Sequence, residues 1–197
     1  MYTYQDLINV GESDEAKMKF VQTVIYSHKS SEMYEEALTA RQYDAKRNTT
    51  IIQYQKLLYT ISGKAVPDNY SANYKLTSNF FNRFVTQQNQ FLLGNGVSLA
   101  DDADKEKLGN DFDTRLQELG RNALVDGLSF GFWNYDHLEV FKLTEFVPLW
   151  DEETGALMAG VRFWQIDPIK PMRVTLYELD GLTEYIWRNG NGEVLKP

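Results

Sequence analysis

Between residues 13 and 126 apolar positions recur at helical spacing, and from Leu128 onward the period shortens to two. Met18, Val21, Val24 and Ile25 predict a helix from an N-cap at Ser13 to about His28, with Asp14 and Glu15 in a first turn that favours negative charge. A second helix is predicted from Ser30-Ser31 to about Arg47. Its acids, Glu32 and Glu35, come early and its bases, Arg41, Lys46 and Arg47, come late; Tyr34, Ala37, Leu38 and Arg41 line one side. In 51–61, Ile51, Tyr54, Leu57, Leu58 and Ile61 favour a short helix over a strand. Residues 62–73 form a loop with the turn tetrad Val66-Pro67-Asp68-Asn69. A helix over 76–93 places Phe80, Phe81, Phe84, Val85, Phe91 and Leu92 on one broad face and is closed by Gly94-Asn95-Gly96, where glycine takes a left-handed conformation. Asn110 with Asp113 has the spacing of a capping arrangement. Phe112, Leu116, Leu119 and Ala123 then define a helix ending at Asp126-Gly127.

Strands follow at 128–135, 137–143, 146–150, 157–165, 173–179 and 182–188. Turn chemistry separates them: Asn134-Tyr135-Asp136, residues 151–155, Asp167-Pro168, Asp180-Gly181 and the run Asn189-Gly190-Asn191-Gly192. No connection is long enough for a crossover helix, so the strands pair antiparallel. The fold class is therefore α+β, N-terminal helices followed by an antiparallel, hairpin-rich sheet. It divides into a helical region, 1–72, and an α+β region, 73–197. Residues 193–197 are too short for a convincing return strand, and the expectation is that the sequence is the front portion of a longer chain.

Composition narrows the function. With 20 basic and 28 acidic residues the net charge is -8, which argues against a dedicated binder of nucleic-acid phosphate while leaving DNA possible as a neighbour that slides past. There are no cysteines, hence no disulfide or thiolate metal site. The N-terminus has acids where a secretory signal has bases, and no apolar run approaches the ~18 residues that span a bilayer. Asn48 and Asn69 match the glycosylation pattern by chance.

Catalytic constellations are sparse. Asp136, His137 and Glu139 are the material for a metal-dependent hydrolase, with Asp151 as a further acid. On a strand, His137 and Glu139 share a face and Asp136 points the other way, so the three are not expected to converge and a solvated strand face is the favoured reading. His28, at a helix C-terminus, is expected to be a partly positive imidazole facing the dipole. Gly94-Asn95-Gly96 lacks the third glycine and the lysine of phosphate loops. Asp101, Asp102 and Asp104 lack the spacing of a calcium loop and read as a solvated charge run. The aromatics of 130–164, with few interleaved bases, read as core and subunit interface rather than a base-stacking platform. No Ser/His/Asp arrangement can be read out.

The order of these elements resembles the N-terminal half of tailed-bacteriophage portal proteins of the SPP1-like branch. The matching pieces are 40–48 (ARQYDAKRN), 73–99 (NYKLTSNFFNRFVTQQNQFLLGNGVSL), and 116–135 (LQELGRNALVDGLSFGFWNY). Further on they are 146–151 (FVPLWD) with 159–164 (AGVRFW), where a Pro-containing strand ends in an acid and the next carries Arg162 and an aromatic, and 174–185 (VTLYELDGLTEY). The resemblance implies a non-enzymatic subunit of a ring, typically of twelve copies, at one capsid vertex, with this region as the wing and the stem, clip and crown downstream. It implies partners: further copies of itself, the major capsid protein, scaffolding protein, the terminase large subunit and head-completion or adaptor proteins. Double-stranded DNA would pass through without sequence-specific binding. It implies no cofactor, no metal, no membrane, and a place in the virion after assembly in the bacterial cytoplasm. A different head-tail adaptor or structural protein is the alternative. Trp133, Trp150, Arg162 and Trp164 are then expected in the core or at a subunit interface.

Overall fold

A computed structural model describes residues 2–11, 13–100, 102–188 and 191–195. Asp101 of the charge run, the Asn189-Gly190 part of the last turn, and Lys196-Pro197 lie outside the described residues. The helices are α1 (Tyr4–Val10), α2 (Asp14–Lys29), α3 (Glu32–Asp44), α4 (Thr49–Gln53), α5 (Phe80–Leu93), α6 (Asp102–Lys107) and α7 (Phe112–Asp126). The strands are β1 (Leu57–Tyr59), β2 (Ala65–Pro67), β3 (Ser129–Asn134), β4 (His137–Lys142), β5 (Phe146–Trp150), β6 (Leu157–Trp164), β7 (Met172–Glu178), β8 (Gly181–Arg188) and β9 (Asn191–Leu195). The fold is α+β: helices first, then antiparallel strands in small sheets.

The strands after α7 form a separate hairpin, β3-β4, and a five-stranded meander, β5-β6-β7-β8-β9. Pairing Val147 with Val161, Val161 with Leu176 and Val174 with Tyr185 puts these residues on one face, because alternate residues point to opposite sides of a sheet. That face is the main core. Val147, Leu149, Ala159, Val161, Phe163, Val174, Leu176, Tyr185 and Trp187 meet Leu7 of α1 and Val21, Val24 and Ile25 of α2. Each such side chain taken out of water contributes roughly 1.5–3 kcal/mol, which holds the N-terminal helices on the sheet. Core contacts thus run across residue 72.

The opposite face carries a second core. Phe146 of β5 packs with Phe130 and Phe141 of the β3-β4 hairpin, Leu143 and Ala37 of α3, with Trp150, Phe132 and Tyr177 half-buried around them. Phe130 and Phe146 rings lie 4.6 Å apart and Phe141 and Phe146 stack at 5.5 Å. Gly160 makes this possible, since a Cβ there would overlap the Phe146 ring. The sheet is therefore sandwiched between α1-α2 and the hairpin.

Several expectations are corrected. Residues 51–61 are not one helix: α4 stops at Gln53 and Leu57–Tyr59 pair with Ala65–Pro67, so the region 1–72 holds a hairpin as well as helices. Residues 191–195 do form a return strand, pairing Arg188 with Asn191 and Glu184 with Leu195. At the end of α5, Gly94 stays right-handed (φ -62°) and Gly96 takes the positive φ, 72°. Asn110 and Asp113 do not cap α7: the N-cap is Asp111, and Asp113 instead accepts from the Val97 amide at 3.0 Å and pairs with Lys105 at 2.9 Å. Phe80, Phe84, Phe91 and Leu92 of α5 face solvent, and Val85 alone of that helix is buried.

Candidate functional site

The aromatic junction runs from the end of α7 into β3 and across β4, β5 and β6. Gly127 (φ 85°) ends α7 and donates its amide to Ala123, and β3 starts two residues later. The hairpin turn at Tyr135-Asp136, with Tyr135 in the left-handed region at φ 54°, folds β4 back along β3.

Arg162 sits at the centre. Its strand, β6, has Val161 and Phe163 in the main core, so alternation sends Arg162 toward the hairpin. The guanidinium lies 4.4 Å from the Phe141 ring centre and 4.6 Å from that of Trp164, and donates to Glu139 of β4 at 3.0 Å. It also hydrogen-bonds the half-buried Tyr177 phenol, whose pKa is nonetheless raised because burial outweighs the cation. One cation thus stitches β6 to β4 through the Phe141 face and the Glu139 carboxylate, and to β7 through the Tyr177 phenol.

The tryptophans differ. Trp150 is half-buried against Phe130, 6.5 Å between ring centres. Trp164 is half-buried beneath the Arg162 guanidinium. Trp133 is 41% exposed, edge-on to Phe112 at 6.2 Å, with its indole N–H donating to the Tyr135 carbonyl at 3.0 Å. The remaining tryptophan, Trp187, is the one fully in the core, and alternation along its strand, which faces α2, is the sequence signal for it.

Asp136, His137 and Glu139 do come together, contrary to strand alternation. Asp136 lies in the turn rather than on the strand, so its carboxylate reaches His137 Nδ1 at 2.7 Å, while His137 Nε2 stands 3.8 Å from Glu139. The pairing holds the Asp136 carboxyl below its ordinary value. The arrangement is a poor metal site or acid-base pair: Glu139 accepts from Asn134 at 2.8 Å on one oxygen and from the Arg162 cation on the other, and the Asp136 side chain is open to solvent. No group of three or more His, Cys, Asp or Glu side chains placed so that they could hold a metal ion occurs among the described residues. Asp151 is occupied in its own turn, accepting from the Thr154 amide and hydroxyl at 3.0 and 2.6 Å.

His28 is not the partly positive helix-end imidazole that its position in the sequence suggests. It is buried, its Nε2 donates to the Leu143 carbonyl at 2.8 Å, and its ring meets Tyr34 and Phe163 edge-on. Burial pushes its pKa down, with the hydrogen bond to Leu143 opposing, so it is a neutral core donor rather than a charge at a helix end. On the other side of α3, Arg41 pairs with the buried Asp126 and donates to Asn122 at 3.2 Å, tying α3 to α7. Asp44, Asn82 and Arg121 repeat the device among α3, α5 and α7: the Asp44 carboxylate accepts from Arg121 at 2.6 Å and from the Asn82 side-chain amide at 2.9 Å. The polar groups of this region are structural fasteners.

Residues 28–192 match the family model described as phage portal protein, SPP1 Gp6-like. The chain belongs to that phage portal protein family. The match starts at His28 and runs through α3, α5, α7 and the strands as far as β9, so the aromatic junction and its Arg162 centre lie wholly within the portal-family region. The portal family is structural, a component of the phage capsid that assembles as an oligomer with other capsid components and DNA. No curated protein matches the sequence. No helix among the described residues is long and apolar enough to cross a membrane.

Proposed function

We propose that the protein is a subunit of the portal ring at one capsid vertex, a ring of about twelve copies in keeping with the closed head-to-tail symmetry such rings need. The observation that carries this reading is the portal-family match over residues 28–192, most of the chain. The ring would be the channel for DNA packaging and ejection and the docking point for terminase and head-completion proteins, and the α+β region 73–197 would be its wing. The work is mechanical: the Arg162-centred junction makes β3-β4 and the five-stranded sheet one stiff wedge, and no side-chain constellation described above is arranged for turnover. The net charge of -8 favours passage of a polyanion over grip.

Trp150→Ala tests the junction's part in this. Removing the indole from beside Phe130 should lower the yield or thermal stability of rings formed by the full-length protein. Normal assembly with unchanged melting would count against the reading.

A further inference from the structure

The charge of the chain is segregated. Between residues 37 and 100 there are seven basic and two acidic residues, a net +5, so that the rest of the -8 chain carries -13. Within that basic stretch, residues 52–76 form an arm that folds on itself. β1 and β2 pair only with each other, Asn73 donates to the Tyr54 carbonyl at 3.2 Å, and Lys75 donates to the Ile52 carbonyl. The Ser71 hydroxyl donates to Asp68, as do the amides of Ser71 and Tyr70 at 3.0 and 2.9 Å, and together they bring its carboxyl down to about 2. The arm is a built structure, yet Leu57, Leu58, Tyr59 and Ile61 at its tip are exposed, Tyr59 by 73%. Lys64, at the same tip, forms no ion pair among the described residues. A cluster of large apolar side chains left in water marks an interaction surface.

We propose that this arm docks on a second copy of the chain, in the groove between α3 and α5 lined by Glu32, Glu35, Glu36, Ala40, Tyr43 and Phe81. The groove has a volume of about 500 Å³, an apolar floor of Ala40, Tyr43 and Phe81 and a rim of three glutamates, so it matches the apolar, lysine-bearing tip in both respects. A net-positive arm cannot pair with itself about a two-fold axis without setting like charges together. Its partner face must be a different one on the neighbour, a head-to-tail contact of the kind that closes into a ring. The assignment rests on the ring reading and adds to it the two surfaces that meet.

The test compares ring formation by the full-length protein with that of Leu58→Asp, Lys64→Glu, Glu35→Lys/Glu36→Lys, and the last two combined, each checked for an unchanged thermal midpoint. Duplex DNA binding is measured in parallel. The single-surface variants should lower the association constant about tenfold or more, a loss of ~1.4 kcal/mol or more, and the combined charge exchange should restore it. Variants that assemble like the parent, or a charge exchange that restores nothing, overturn this assignment while leaving the ring reading intact. Variants that keep their rings but lose duplex DNA binding overturn it in favour of DNA as the arm's occupant. A parent protein that forms no ring defeats both.

Discussion

Arg162 holds its guanidinium 4.4 Å from the centre of the Phe141 ring, joining the strand that follows the Pro148 strand to a hairpin that belongs to a different sheet. Both side chains are largely withdrawn from water, so the cation-π contact and the Glu139 pair act in a medium that strengthens them.

Arg162→Ala should therefore destabilise the protein by about 2–4 kcal/mol, leaving Glu139 half-buried without its cation. Arg162→Lys should recover only part, because an ammonium cannot lie flat between two rings. Urea denaturation of the three proteins checks this; a lysine variant as stable as the parent would show that charge alone matters.

Gly160→Ala should cost about 1–3 kcal/mol through overpacking, since the new methyl overlaps the Phe146 ring. Phe146→Leu in the same chain should return part of the loss. Thermal denaturation of the single and double variants measures the coupling.

Removing Arg41 strands the buried carboxylate of Asp126, whose pKa is already raised by burial against the opposing pull of Arg41. Arg41→Ala should cost about 3–5 kcal/mol, and Asp126→Asn should be tolerated far better and should rescue it. A double-mutant cycle by chemical denaturation gives the answer.

The His28 pKa lies below its ordinary 6.5 in the folded state, chiefly through burial. The unfolded chain therefore takes up a proton first as pH falls. The contribution of His28 is full above 6.5 and is lost as pH drops below it. The urea midpoint should fall between about pH 7.5 and about pH 5.5, and His28→Gln should flatten that part of the profile.

Much of this architecture is legible in the sequence wherever a short-range pattern decides it. β5 occupies the predicted 146–150 because a short apolar run stops at the turn residues that begin with Asp151. α7 ends at Asp126 because Gly127 can take φ 85°. The α1 helix is too short to show an apolar period, and its one sequence signal is the reciprocal capping box of Thr3 and Asp6, readable as Thr-x-x-Asp in the first six residues. Residues 51–61 are ambiguous in sequence because a short apolar run fits helix and strand equally, and pairing of Leu57–Tyr59 with Ala65–Pro67 decides the matter. The polar site was hardest. Strand alternation separates Asp136 from His137 only if both lie on the strand, and the left-handed Tyr135 takes Asp136 out of it. That Arg162 meets Glu139 follows from the packing of two sheets, which no local pattern encodes.

Negative-stain electron microscopy of the purified full-length protein shows whether the chain assembles as a portal ring. The portal-ring assignment requires rings with a central channel wide enough for duplex DNA. A uniform field of monomers, or oligomers without a channel, would contradict it.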